Sequence, residues 1–344
     1  MPAIAAIKLQ NIRPHESFSL GLSPNVTVIT GDNGTGKTSI LEAIYISLQG
    51  SSFKGSDKEV LNKSSDWWRI DIDFDDETKR TIKFDPSKTS GKKQFIVNSK
   101  TSYRLNPKDK LPVVLFEPDD MRLLHGSPAR RRLFIDRFIS QIDPQYALAV
   151  RRYERALVQR NKLLKQSSVS HETVFPWNVS LSEYGAYILE RRVQFVEQIN
   201  QRLNQEYQVI AKNNDQVAVH YSHTLIGDTK TRILGELDNQ FARDQLLGYT
   251  SVGPHRHDVI FMFNDSPALS VASRGEVRSI MLALKLIEVD IITELTGIKP
   301  VILLDDVYSE LDINRQQNLS SILSNQIIIT STSDAGVGDK VVRL

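Results

Sequence analysis

The sequence contains no cysteine. Disulfides, zinc–thiolate sites and thiol nucleophiles are therefore excluded, and nothing in the chain calls for an oxidising compartment. It also lacks an apolar run long enough to span a bilayer, so no transmembrane helix and no membrane partner are expected. Met1 to Asn11 has no charged segment leading into a long apolar core, so no secretory leader is expected and the cytoplasm is the expected location. No repeat or low-complexity tract interrupts the 344 residues, a length that suits one large domain or two lobes. Net charge is small as well. The 43 Lys and Arg oppose 41 Asp and Glu, leaving +2, so the whole-molecule field says little about partners. Its distribution says more. Between Arg130 and Lys165 ten Lys/Arg face three acids. A solvated helical face explains any such run taken alone, whereas contact with phosphates or an acidic partner is the sharper reading.

Against these absences stands one dense motif. Gly31-Asp32-Asn33-Gly34-Thr35-Gly36-Lys37-Thr38 has the form G-x-x-x-x-G-K-[ST], followed by Ser39. The β-branched run Asn25 to Thr30 before it reads as a buried strand. Ile40, Leu41, Ile44 and Leu48 after it recur at helical spacing. Strand, glycine loop and helix are the context this motif needs. Backbone N–H groups converge on a polyphosphate at a helix N-terminus, Lys37 supplies a point charge for the β- and γ-phosphates, and Thr38 offers a hydroxyl to Mg²⁺. The expected cofactors are ATP and Mg²⁺.

Residues 3 to 10 and 16 to 22 read as strands. In the segment between them, Arg13 or His15 is placed to reach the nucleotide, and a plain turn forced by Pro14 explains the segment equally well. Three alternating runs, Trp67 to Phe74, Thr81 to Phe84 and Gln94 to Val97, are separated by turn-forming segments and predict an antiparallel layer ahead of a core strand at Val113 to Phe116. From Asp119 to Ala211 the pattern is helical. Tyr146 to Gln166 and Ser180 to Ala211 are its clearest helices, with Ser180 and Ser182 as expected caps and no heptad regularity for an extended coiled coil. Val217 to Tyr221 returns to strand, Thr229 to Leu247 to helix and Val259 to Phe263 to strand. Ser273 to Leu295 is a long helix, Leu311 to Leu323 mainly helix, and Gln326 to Thr330 a last core strand.

The second half of a nucleotide site is Val301-Ile302-Leu303-Leu304-Asp305-Asp306, four apolar residues and then acids at the C-terminal end of a strand, where α/β sites lie. Asp305 is the expected metal-side acid. Asp306 is placed to orient or deprotonate the attacking water. Ser273-Arg274-Gly275-Glu276 opens the long helix before it. Ser273 and Glu276 make a capping box. Ser-x-Gly-x at this position also resembles the signature motif of ABC-type ATPases, in which a helix N-terminus holds the γ-phosphate of the other subunit's ATP; both readings can hold together. Ser309-Glu310-Leu311-Asp312 resembles the D-loop of the same superfamily.

Within that superfamily the run Asn33 to Ile44, the run Gly126 to Asp136, Gly253-Pro254-His255-Arg256-His257-Asp258 and Leu303 to Asp312 resemble the RecF branch, close to SMC and Rad50 heads, almost end to end. The resemblance implies an α/β fold, a P-loop ABC-type ATPase head with an antiparallel β layer and an inserted, mainly helical second lobe. Lobe I is expected over 1–118 and 214–344, and lobe II over 119–213. The resemblance also implies a weak, DNA-stimulated ATPase of recombinational repair and replication. ATP binding drives dimerisation and DNA binding, slow hydrolysis drives release, and RecR- and RecO-like mediators help load recombinase at gaps. Duplex DNA and single-strand/double-strand junctions are the implied substrates, with Arg151, Arg152, Arg155 and Lys162 as expected DNA contacts and Arg130 to Arg132 tied instead to Asp136. Glu276 stands where RecF-like signatures usually carry Gln. Asp306 stands where transporters carry Glu, Thr330-Ser331-Thr332 stand where they carry His, and the Q-loop falls near Phe116-Glu117-Pro118 without a fixed residue. A transporter ATPase is thus the weaker alternative. A fused nuclease is weaker still, since no acidic metal cluster follows the last core strand.

Overall fold

The structure, a computed structural model, describes residues 2–88, 91–166, 168–225, 227–306, 324–332 and 338–344. Its elements in chain order are β1 (Ile4–Ile12), β2 (His15–Gly21), β3 (Val26–Thr30), α1 (Lys37–Gln49), β4 (Trp68–Phe74), β5 (Lys79–Phe84), β6 (Lys93–Val97), β7 (Lys100–Ser102), β8 (Val113–Phe116), α2 (Arg122–His125), α3 (Pro128–Ile142), α4 (Pro144–Leu164), α5 (His171–Ala211), β9 (Val217–Tyr221), α6 (Thr229–Asn239), α7 (Phe241–Leu247), β10 (Val259–Phe263), β11 (Ser266–Pro267), α8 (Ala268–Val271), α9 (Arg274–Thr296), β12 (Val301–Asp305), β13 (Ile327–Ser331) and β14 (Lys340–Arg343). They fall into two compact units, residues 1–120 with 288–344, and residues 121–287. The D-loop stretch Ser309 to Asp312 and the helix expected over Leu311 to Leu323 lie outside the described residues.

Among the described residues, the first unit holds two sheets, α1 and the last part of α9. An antiparallel sheet runs β2-β1-β4-β5-β6-β7, and a parallel sheet runs β14-β3-β13-β12-β8. Helix α1 touches strands of both, and every one of its residues except Thr38 is buried. That is why its apolar residues are not confined to one stripe, and why its polar residues, Glu42 among them, are buried too. The core is shared by Ile7 and Leu9 of β1, Ile70 and Ile72 of β4, Ile40 to Leu48 of α1, and Leu303 and Ile328 of the parallel sheet. The strands β3, β12 and β13 are buried at every position, as strands covered on both faces are. Because β3 and β12 run parallel, with β13 between them, their C-terminal ends open on one edge. The P-loop follows β3, and Asp305 ends β12, so strand direction alone brings these motifs together.

The second unit is α2 to α8 with the first part of α9. Helices α3, α4 and α6 pack along α5, and β9 lies on α5 in a three-stranded antiparallel sheet, order β11-β10-β9. This differs from the expected division. Residues 214–287 belong with the helices rather than with the ATPase lobe, because β9 and β10 pair with each other and neither joins the parallel sheet. The second division falls inside α9, between Ile287 and Glu288.

Helix α5 also starts earlier than its sequence suggests. Ser170 caps it by accepting from Thr173 N, and Pro176 lies inside it. Ser180 and Ser182 are interior residues whose hydroxyls donate to the carbonyls of Pro176 and Val179. Proline at the sixth helical position forfeits only the bond to the Glu172 carbonyl, in an exposed turn that water can satisfy. Buried Asn178 pins the early turns, accepting from Arg160 Nε at 2.6 Å and donating to Asp238 at 2.7 Å. The helix expected over Thr229 to Leu247 is broken at Gln240 into α6 and α7. Strand β14, which its sequence does not announce, pairs in parallel with β3 at the sheet edge.

Candidate functional site

Gly36 turns the end of the P-loop into α1 with φ +96°, a region that favours glycine. A Cβ there would sit 2.3 Å from His15 Nε2 and 2.7 Å from Pro14 Cγ. His15, the first residue of β2, also makes a 3.1 Å hydrogen bond with the Gly36 carbonyl. Lys37 is buried, and its Nζ donates to the carbonyls of Gly31 at 2.6 Å and Asp32 at 3.0 Å. Thr35 closes the loop by donating to Asp32 O at 2.9 Å.

The two halves of the site meet at Thr38 and Asp305. Thr38 Oγ1 donates to Asp305 Oδ1 at 2.8 Å across 267 residues of sequence. Thr330 Oγ1 donates to the same oxygen at 3.0 Å. A hydroxyl and a carboxylate side by side are hard oxygen donors, the set that suits Mg²⁺. Asp306 adopts φ +56°, a left-handed conformation that Asp tolerates better than most residues, and its N–H donates to the Thr330 carbonyl at 3.1 Å. The next residue beyond the buried strand is therefore turned and held from β13, an arrangement of the kind that collects at functional sites.

Arg13 is engaged with a protein partner. Its Nε lies 2.6 Å from Oε2 of Glu42, a residue of α1 with no exposed surface. Pro14 and His15, rather than Arg13, are the residues there that approach the P-loop, at Gly36. Three residues at or beside the site, Glu42, Ser52 and Lys54, have no role assigned from the sequence, and Thr330 is read there only as standing where transporters carry His. Lys54 Nζ stands 3.6 Å from Asp305 Oδ2. It comes from a loop with no periodic or motif signal, so only its position in space marks it.

Ser273 opens α9 with the geometry of a capping box. Its N–H donates to Glu276 Oε2, and Glu276 N approaches Ser273 Oγ at 3.4 Å. Ser273 and Arg274 are exposed and Gly275 is partly so, leaving the helix N-terminus accessible.

The basic run of the second unit separates into two kinds of residue. Arg160 is fully buried and binds Asp244, Asn178 and Thr250. Arg131 forks onto Asp258 at 2.8 and 2.9 Å, and Arg132 donates to the His257 carbonyl. Asp136, expected to hold this triplet, instead takes Arg192 in a two-pronged pair, because Arg192 on α5 reaches it from the facing helix. The Gly253 to Asp258 run belongs to the same buried network. His255 accepts from Tyr153 OH and binds the Thr250 carbonyl, and His257 meets Tyr221 OH. Burial pushes the two imidazoles down, to about 4 for His255 and about 3 for His257, so both are neutral hydrogen-bonding groups at neutral pH. By contrast Arg151, Arg152, Arg155 and Lys162 are exposed on α4. Arg152 donates to Tyr184 OH at 2.9 Å and lies over its ring. Arg151, Arg155 and Lys162 form no ion pair among the described residues, and their spacing puts them on one helical face.

No helix among the described residues is long and apolar enough to cross a membrane. The family model described as AAA domain matches residues 6–251. The DNA replication and repair protein RecF of Clostridium perfringens is 33% identical over 336 residues, covering 96% of this chain and 92% of its own. A solved structure described as the recombination mediator protein RecF-ATP in the RecFOR pathway superposes with a TM-score of 0.89 at 29% identity, over 99% of this chain and 95% of that one. The Smc head domain of Pyrococcus furiosus shares the fold, with a TM-score of 0.53 at 16% identity, covering 100% of this chain and 93% of its own. With its P-loop motif opening a helix enclosed between two sheets and Asp305 at the end of β12 on the same sheet edge, the chain belongs to the RecF family of DNA replication and repair proteins.

Proposed function

We propose that the chain is an ATP-dependent DNA-binding ATPase of recombinational repair and replication. ATP binding closes a homodimer on DNA, and slow hydrolysis releases it. The 2.8 Å contact between Thr38 and Asp305 carries this reading, since it joins the P-loop hydroxyl and the strand-end acid that such a site needs. Thr38 and Asp305 would hold Mg²⁺, which when bound neutralises charge on the β- and γ-phosphates. Lys37 pairs with those phosphates, the Gly31 to Ser39 backbone cradles them, and Asp306 orients the attacking water. RecR- and RecO-like mediators are the protein partners this reading expects. Its direct test is ATP turnover with and without duplex DNA or a single-strand/double-strand junction. DNA stimulation supports the reading, and a rate indifferent to DNA overturns it.

The exposed N-terminus of α9 is the element proposed to meet the partner's ATP. Ser273→Arg fills it with a long cation while Glu276 remains. ATP binding by the monomer is expected to persist and ATP-induced dimers to disappear in sedimentation. If Ser273 is a cap alone, the variant loses about 1 kcal/mol of stability and still dimerises.

For DNA, the face of α4 carrying Arg151, Arg155 and Lys162, which form no ion pair among the described residues, supports phosphate contact better than the outer face of the antiparallel sheet does. There Arg69 is forked onto Asp71 and Lys79 lies 3.5 Å from Asp73. Binding through Arg151, Arg155 and Lys162 would work by counterion release, with steep salt dependence and little sequence preference. Reversing all three to Glu is expected to lower the log–log salt slope by about three units. An unchanged slope places the DNA elsewhere.

A further inference from the structure

Asp305 is 3% exposed. One carboxylate oxygen is taken by the hydroxyls of Thr38 and Thr330. The other faces Lys54, the one cation within ion-pair reach among the described residues. A buried carboxylate calls for a countercharge. Lys54 supplies it from a side chain that is itself 39% exposed, so some device must keep it there.

That device is a chain of hydrogen bonds behind the loop. Ser52 Oγ accepts from the backbone N–H of Lys54 at 2.9 Å and of Gly55 at 3.0 Å. It donates to Glu42 Oε1 at 2.5 Å, so all its capacity is used on this turn. Glu42, enclosed in α1, is gripped by both Nε and Nη2 of Arg13. Arg13 is fixed in turn by its N–H on the Val60 carbonyl and by Asn62 on its own carbonyl. The relay thus runs from the β1–β2 turn through α1 to the metal-side acid.

We propose that Lys54 is a built-in countercharge of Asp305, set in place by Glu42 through Ser52, which a divalent cation must displace to engage that carboxylate. The loop then sets how much Mg²⁺ nucleotide binding demands. Lys54, Ser52 and Glu42 act here on Asp305 and not on the nucleotide, and the inference rests on the nucleotide-site reading above.

The test is the free Mg²⁺ concentration giving half-maximal binding of a fluorescent, non-hydrolysable ATP analogue to the full chain. Lys54→Met is expected to lower it about tenfold, the scale of one partly screened charge pair. Lys54→Arg keeps the charge and should stay near the parent. Ser52→Ala should shift it in the same direction as Lys54→Met and add nothing in the double variant, because it acts through Lys54. Titration of Mn²⁺ followed by electron paramagnetic resonance, with the analogue present, should move in parallel. An unchanged or raised Mg²⁺ demand in Lys54→Met overturns the proposal. So does weaker analogue binding at saturating Mg²⁺, which would make Lys54 a phosphate contact. A Ser52→Ala effect that persists in the double variant overturns the relay. Lys37→Ala separates the two readings. If it binds the analogue as the parent does, the nucleotide-site reading has failed. If it loses binding while Lys54→Met behaves as the parent, only the present inference has failed.

Discussion

Lys37→Ala is expected to weaken ATP binding by about a hundredfold or more. Lys37 is the first residue of α1, and its ammonium lies among the loop carbonyls of Gly31 and Asp32, within the curve of backbone that would enclose the β- and γ-phosphates. Hydrogen bonds to charged groups contribute about 1.5–3 kcal/mol each, and the loss of two such contacts is a hundredfold at the least. The variant should keep its fold, since the core around α1 is built by apolar residues such as Ile40, Leu41, Ile44 and Leu48, whereas the ammonium is bonded to loop carbonyls. Isothermal titration with ATP checks the affinity and circular dichroism the fold. Equal affinity in variant and parent sinks the P-loop assignment. Lys37→Arg is expected to be milder for binding and poor for hydrolysis, because a guanidinium is a wide planar fork and not a point charge.

Asp306→Asn is expected to slow hydrolysis by about a hundredfold or more while leaving ATP binding, Mg²⁺ retention and dimerisation intact. The geometry makes this substitution informative. Asp306 sits at φ +56°, which Asn adopts as readily, and the backbone bond to Thr330 does not involve the side chain. The change therefore removes carboxylate basicity and little else, and loss of a general base costs about a hundredfold to ten-thousandfold. ATP-bound dimers should accumulate, and DNA complexes should outlive those of the parent. Asp305→Asn should behave differently. It weakens the oxygen set shared with Thr38, so metal retention and nucleotide binding fall together. Single-turnover hydrolysis and DNA dissociation rates measure the contrast. If Asp306→Asn turns over ATP at the parental rate, another group positions the water.

Much of the nucleotide-binding unit could be read in advance because its signals are local. Strands β3 and β12 are short apolar runs bounded by turn residues, and β4 and β5 alternate along their length, so a few neighbouring residues suffice to identify each. Strand β14 gave no such signal. Lys-Val-Val-Arg is half charged and mostly exposed, and it is a strand because β3 offers it an edge. Helix α5 ran through Pro176 because buried Asn178 and the Arg160 cluster hold its first turns in place. That stabilisation comes from residues distant in sequence.

The basic run shows the same division. Arg151 and Arg160 are the same residue type on the same helix, yet one is exposed and the other fully enclosed among Asn178, Asp244 and Thr250. The sequence by itself determined the candidate groups: a phosphate-loop motif, a hydroxyl and an acid of the kind that suits a metal, a second acid beside it, and a helix that opens on Ser-x-Gly-x. These depend on residue identity and on spacings within a turn or a strand, which the covalent chain sets. Only the tertiary structure decided which groups face one another. It put Asp305 beside Thr38 across 267 residues, placed Lys54 on its other oxygen, gave Arg13 to Glu42, and took Asp136 away from Arg131 for Arg192. Partner choice among like charges is settled by strand order and helix packing, because a buried charge must find an opposite one wherever the fold brings it.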